Sequence, residues 1–402
     1  MSKPDRGGRP SWLNLLGRLG SFSVAFVVAP LTFAIAAQSE PASDDHSHHD
    51  MQHSGKSVDA GEFSPTKPLQ DQGNMGAPAA KPGAVWNTLD EGLRKKFDED
   101  FGKTANRRAL YDEYLDAMSG EALLDYLELR DSRCHGDAHE LGNAIYERSQ
   151  NITEALRICG HRCTNACMHG VVKQALGGRS PAEVRAQMGS FCEQGEMSAL
   201  HKPGNCAHGL GHAAMLSTGH DIEASLWACE GFDDLGMEYY CATGVFMEYR
   251  DAVWIAEQRG QPVKRASLHY PCDTYTKFPP ACYRYVLSMI SDEQEATFDD
   301  LVQLCLALLE QRKRGCFHGV GAFFSRTVAD QPPIFPKLCQ HGSGEDQILC
   351  VDGVIEKLAD FDAEHAKTVC ATLDGERRVV CDAGVEGKMY RLPKPRMELY
   401  GL

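Results

Sequence analysis

Cys206-Ala207-His208-Gly209-Leu210-Gly211-His212 is the stretch whose pattern decides the fold. Its frame is a cysteine followed three residues later by glycine. Cys167-Met168-His169-Gly170-Val171 and Cys316-Phe317-His318-Gly319-Val320 are close copies. Cys241-Ala242-Thr243-Gly244-Val245, Cys350-Val351-Asp352-Gly353-Val354 and Cys381-Asp382-Ala383-Gly384-Val385 keep the frame without the histidine. Cys282-Tyr283-Arg284 loses the glycine, and Cys134-His135-Gly136 is one residue tighter. The eight first cysteines are spaced by 33, 39, 35, 41, 34, 34 and 31 residues. A period near 34 is that of a helix–turn–helix unit stacking into a solenoid.

Each unit but the last holds a second cysteine at the end of an amphipathic segment: Cys159, Cys192, Cys229, Cys272, Cys305, Cys339 and Cys370. Several of these segments open with capping residues. Ser180-Pro181-Ala182-Glu183 has the form of a capping box with proline at the first helical position. Asn151, Thr297 and Asp362 begin others. The expected unit is a helix A starting at the Cys-x-x-Gly frame, a turn, and a helix B ending at its cysteine. The insertion around Gly260-Gln261-Pro262 reads as an enlarged turn. The fold class is therefore all-α, a tandem array of α/α hairpins.

Two disulfide schemes fit an antiparallel hairpin. Within a hairpin, Cys167 would meet Cys192; across a loop, Cys305 would meet Cys316. The within-hairpin scheme strands Cys163 and Cys381. The across-loop scheme gives Cys159–Cys167, Cys192–Cys206, Cys229–Cys241, Cys272–Cys282, Cys305–Cys316, Cys339–Cys350 and Cys370–Cys381, leaving Cys134 and Cys163 for an eighth bridge. That count favours the across-loop scheme. Closing a loop of ~10 residues contributes roughly 2–3 kcal/mol in the chain-entropy model. The dense Cys159-Gly160-His161-Arg162-Cys163-Thr164-Asn165-Ala166-Cys167 run lacks a zinc-finger spacing, and disulfides account for it more simply.

The histidines are not part of the frame, because Thr243, Arg284, Asp352 and Ala383 stand in their place elsewhere. They double as His-x-x-x-His at His135/His139 and His208/His212. Side chains four apart share a helix face and can bind one metal ion through two ring nitrogens. A helix N-terminus would also disfavour the imidazolium. Stacked helices A would place His169 between the two pairs, with Glu140 and His161 near. His135, His139, His169, His208 and His212 thus form a candidate first shell for copper or zinc. The alternative role for a histidine beside a glycine is a hydrogen bond to a loop carbonyl. His139-Glu140-Leu141-Gly142-Asn143 begins like a zinc-hydrolase motif, but Asn143 replaces the second ligand. Glu248 and Glu356 read as exposed helix charges. No phosphate loop, nucleophile elbow or dinucleotide fingerprint is present.

Formal net charge is −15, and residues 1–37 carry +3 of it (Lys3, Arg6, Arg9 and Arg18 against Asp5), so the rest carries −15 − 3 = −18. Such a body repels nucleic-acid phosphates and suits metal ions or cationic partners. Residues 1–37 read as a signal peptide, basic to Arg18, then apolar, with Ala34-Ile35-Ala36 for cleavage. An uncleaved anchor is the alternative. With 16 cysteines, the expected compartment is the periplasm or another exported one. Residues 38–85 read as a disordered, His/Pro-rich tether. It contains His46, His48, His49 and His53 beside Asp50 and Met51, a second candidate chelator. Residues 86–133 read as an N-terminal helical cap, 134–388 as the repeats and 389–402 as a C-terminal tail.

In architecture, the repeat region resembles the exported, cysteine-stapled relatives of the tetratricopeptide-repeat proteins. That resemblance implies an α/α solenoid binding other proteins on a concave face. Three functions follow. The first is transition-metal binding at the first three repeats, helped by the tether. The second is a non-catalytic scaffold for a periplasmic or membrane protein. The third is a metalloenzyme built on the His-Gly-x-x-His pairs.

Overall fold

The computed structural model describes residues 83–402, apart from 132, 133, 194, 262, 388–391 and 393. The proposed signal peptide, nearly all of the tether, and His46, His48, His49 and His53 lie outside the described residues. Among those described, every regular element is a helix and there is no strand. No helix among them is long and apolar enough to cross a membrane.

Eight helices carry the first cysteines or start directly after one: His135–Ser149 (α1), Ala166–Leu176 (α2), Pro203–Ser217 (α3), Leu235–Gln258 (α4), Pro279–Gln294 (α5), Glu310–Phe323 (α6), Gly344–Phe361 (α7) and Gly375–Gly387 (α8). Each packs against the one before and the one after it. Helices Glu91–Lys103, Arg107–Tyr114 and Gly120–Arg130 precede them, and the last two pack on α1. Phe97, Tyr111, Leu123 and Leu124 bury the apolar face that their helical spacing calls for.

Only α1 and α2 start at the cysteine of the frame. In α3 to α8 the cysteine is the fourth or seventh helical residue. Capping groups upstream set the earlier start. The Asp234 side chain accepts from the Met237 amide, and Ser343 forms a capping box with Asp346. Pro203 and Pro279 occupy first helical positions in α3 and α5. The expected caps Asn151, Ser180, Thr297 and Asp362 all accept from amides of their first turns.

One unit lacks its second helix. Helix α4 runs on to Gln258, and residues 259–278 contain no regular helix among those described. Gly260, at φ +70°, adopts the left-handed backbone that ends α4. The insertion replaces helix B rather than enlarging the turn before it.

All sixteen cysteines are paired, and the bridges are the across-loop set together with Cys134–Cys163. The frame glycines Gly170, Gly244 and Gly353 have a separate task, each facing a second glycine on the helix before it. A Cβ on Gly244 would lie 2.0 Å from the His208 carbonyl oxygen, and one on Gly211 would lie 2.1 Å from the Cys241 carbonyl oxygen. Only hydrogen at both positions lets α3 and α4 touch backbone to backbone. Gly142 and Gly170 join α1 to α2 in the same way, and Gly321 and Gly353 join α6 to α7. Each pair brings the residues beside it, histidines among them, within reach of the neighbouring helix.

Helices two apart also meet through side chains. Lys173 on α2 reaches Glu248 on α4, His139 on α1 lies against His212 on α3, and Arg284 on α5 reaches Glu356 on α7. The C-terminal residues are not a free tail. Helix Lys394–Tyr400 packs on α6 and α7, with Tyr400 fully buried.

Candidate metal centre

The five histidines predicted as ligands come together on facing sides of α1, α2 and α3. His169 is central. Its ring centroid lies 5.7 Å from His135, 5.3 Å from His139, 4.7 Å from His208 and 5.7 Å from His212. All are buried except His135, which is partly exposed at one edge. Two groups of three have donor atoms mutually within 4.8 Å: His135/His139/His169 and His169/His208/His212.

Hydrogen bonding fixes which nitrogens face inward. The Thr243 hydroxyl donates its one proton to the Tyr240 carbonyl at 2.5 Å. Its oxygen must then accept from His208 Nδ1–H, 2.7 Å away. His212 Nδ1–H donates to the Glu248 carboxylate at 2.7 Å. Glu248 is held in turn by Lys173 Nζ at 2.7 Å, with both residues buried. With Nδ1 protonated in both rings, His208 and His212 each present an Nε2 lone pair. Those two atoms are 3.1 Å apart. Two lone pairs at that distance repel unless a cation lies between them. Two nitrogens on one tetrahedral ion at ~2.0–2.1 Å would stand about 3.3 Å apart. Outward Nδ1 bonds to a carboxylate or hydroxyl are also the usual support for imidazoles that ligate through Nε2.

The other pair repeats the pattern. His135 and His139 bring their Nε2 atoms to 3.2 Å. His135 Nδ1 is 2.6 Å from the Thr164 hydroxyl, whose proton goes to the Cys163 carbonyl. The loop that delivers Thr164 is strained. Cys163, Thr164 and Asn165 have φ of +48°, +56° and +64°, a run of left-handed residues without a glycine. Such conformations cost on the order of 1–3 kcal/mol each and concentrate at functional sites.

His169 differs from the other four. Neither of its ring nitrogens has a side-chain hydrogen-bond partner, and only the Asn205 backbone is offered to the ring. Burial holds it well below the usual histidine pKa, and the neighbouring imidazoles push the same way, opposed by the Asn205 backbone. Burial, then His169 and His212, holds His208 down likewise. The expected cause was a helix N-terminus. His208 is the sixth residue of α3, so burial is the cause instead. Burial also pushes Glu140 up to about 8, opposed by Lys173.

A second buried cluster joins His318, Asp352 and Glu356. His318 Nε2 is 2.9 Å from Glu356 and 3.5 Å from Asp352. Here cations are already present. Arg284 pairs with Glu356, Arg396 with Asp352, and the Tyr400 hydroxyl, with one proton to give, lies within hydrogen-bond distance of both carboxylates. Two guanidiniums balance two carboxylates, so this cluster has no charge left for a metal ion to satisfy. Burial opposes the charged forms, yet hydrogen bonds to Asp352 and Glu356 raise the His318 pKa. Arg396, then His318, lowers that of Asp352 against the same burial.

Glu248 and Glu356 are thus buried partners rather than exposed helix charges. Lys173, His201, Arg396 and Tyr400 were not singled out from sequence. His201 bonds Asn165 through Nδ1, and burial beside His161 pushes it down to about 3. Two of the missed roles had a signal: Lys173 is four residues after His169, and Glu356 four after Asp352. That is the spacing of the His pairs, so the helix face was readable where the motif was not. His201 and Tyr400 lie outside the frame and had none.

No family model matches the chain, and no curated protein or solved structure matches it either.

Proposed function

We propose that the chain is an exported protein that binds a transition metal, copper or zinc, at His135, His139, His169, His208 and His212. The observation that carries this is the buried His208–His212 pair, whose two Nε2 lone pairs face each other at 3.1 Å. An all-imidazole donor set suits copper and zinc better than magnesium or calcium. The partly exposed His135 gives ions a way in. The His46–His53 tract would capture ions and pass them inward.

Eight disulfides and no free cysteine support an oxidising compartment. In architecture we propose a solenoid of stapled hairpins, capped by residues 86–133. The scaffold alternative is less favoured, since Lys173–Glu248, His139–His212 and Arg284–Glu356 turn polar groups of nearby helices toward one another rather than toward a partner.

The test is metal content by mass spectrometry after gentle copper and zinc loading. It uses the full chain and a variant with His46, His48, His49 and His53 changed to Ala. Stoichiometric metal that survives in this variant and is lost on adding His208→Ala is expected. Absence of metal from both proteins refutes the reading.

A further inference from the structure

We infer that this site holds not one metal ion but two, bridged by the His169 ring, a step that rests on the metal-binding reading above. The five imidazoles do not form one group of donors. They divide into His135/His139/His169 and His169/His208/His212, each mutually within 4.8 Å, and His169 alone belongs to both. Ligands on a single ion at ~2.0–2.1 Å can stand no more than about 4.2 Å apart, the diameter of the shell. Two separate Nε2–Nε2 pairs, at 3.2 Å and 3.1 Å, each have the separation of two ligands on one ion.

His169 completes both sets. It is fully enclosed, flanked by both pairs, and without a side-chain hydrogen-bond partner at Nδ1 or Nε2, the Asn205 backbone being its one polar neighbour outside the cluster. A ligand to one ion ordinarily gives its other ring nitrogen to a carbonyl or carboxylate. His208 and His212 do this through Thr243 and Glu248. His169 has no carboxylate or hydroxyl behind either nitrogen, and the Asn205 backbone is the one contact that a second ion would displace. Bridging removes its single N–H proton to solvent, leaving an imidazolate that offers a lone pair to each ion. The negative ring lies between the two divalent cations and offsets their repulsion. Each ion has three histidine ligands, with further positions open to water or an exogenous anion.

The probe is copper(II) alone. It is added stepwise to the full chain carrying His46→Ala, His48→Ala, His49→Ala and His53→Ala, so that only the helical site is read. Bound copper and electron paramagnetic resonance intensity are followed together. Two coppers per chain are expected, with double-integrated intensity at two equivalents falling to a small fraction of two spins, because the imidazolate couples them. Adding His169→Ala should abolish the coupling and restore isolated copper signals, with helix content checked by circular dichroism. One copper per chain, or two at full spin intensity, overturns the bridge and leaves the metal-binding reading standing. A coupled spectrum that persists without His169 overturns it as well. No bound copper overturns the bridge, and a chain that also stays empty in the zinc loading described above overturns the metal-binding reading with it.

Discussion

Replacing Glu248 by glutamine separates two effects that this residue exerts. Its carboxylate accepts from His212 Nδ1 at 2.7 Å through one oxygen and pairs with Lys173 through the other, also at 2.7 Å. Glu248→Gln keeps the volume and one carbonyl acceptor but removes the charge. Breaking a buried ion pair from one side costs about 3–5 kcal/mol, because the remaining charge stays in low dielectric. Losing the carboxylate that orients a ligating imidazole lowers metal affinity about 10–100-fold. Adding Lys173→Met removes the stranded cation and should recover part of the stability, less what the buried Glu140 loses with its neighbouring charge. It should not recover affinity, because His212 still lacks its carboxylate. Denaturant midpoints give the first quantity, and competition with a copper or zinc chelator gives the second. Metal affinity unchanged within about threefold in Glu248→Gln would refute the tautomer reasoning. Affinity restored by the double variant would do so equally, since Glu248 would then act by packing alone.

Gly244→Ala forces a Cβ to 2.0 Å from the His208 carbonyl oxygen and should cost about 3 kcal/mol in urea unfolding. Gly178→Ala, with no atom within 4 Å, should cost little, and equal effects would sink the close-contact account. Reduction under denaturing conditions should raise the intact mass by about 16 Da, one hydrogen for each of the sixteen paired cysteines; a smaller rise means thiols are present. The raised His318 pKa means the folded state binds the extra proton. Its contribution is present below pH 6.5 and lost as pH rises through the folded value. Metal-free protein should therefore lose up to about 1.4 kcal/mol per pH unit above 6.5 from this group. His318→Gln should flatten that slope relative to wild type. The lowered Asp352 acts oppositely, its contribution being lost as pH falls below 3.8, so an Asp352→Asn variant should show less acid sensitivity in the same melts.

The sequence exposed the helical class and the disulfide pairing because both rest on local pattern. Capping residues announce helix starts, and cysteines one loop apart have few other partners. It also exposed the five clustered histidines, since His135/His139 and His208/His212 repeat at the spacing of one helix face. What it hid depends on chain-distant encounters. Lys173 and Glu248 are 75 residues apart, and Arg284 and Glu356 are 72 apart. Nothing local tells a buried helix carboxylate from a solvated one, so Glu248 and Glu356 looked like surface charges. The missing helix after α4 was hidden for a related reason. The cysteine spacing continued through it, and cysteine count does not report what lies between.

One property of the disulfide set bears on how the chain is made. A chain entering an oxidising compartment from its N-terminus presents its cysteines in order. From Cys192 onward each odd arrival pairs with the next, over 10 to 14 residues, so simple oxidation on arrival gives the native set. Only the first four break that rule. Cys134 joins Cys163 and Cys159 joins Cys167, two interlaced bridges that arrival-order oxidation would form wrongly. Correcting them calls for thiol–disulfide exchange, which proceeds by thiolate attack and is sped by an isomerase. The interlaced segment is also the one that carries Thr164 to His135. Assembly of the histidine site is thus tied to the one step of oxidation that needs proofreading.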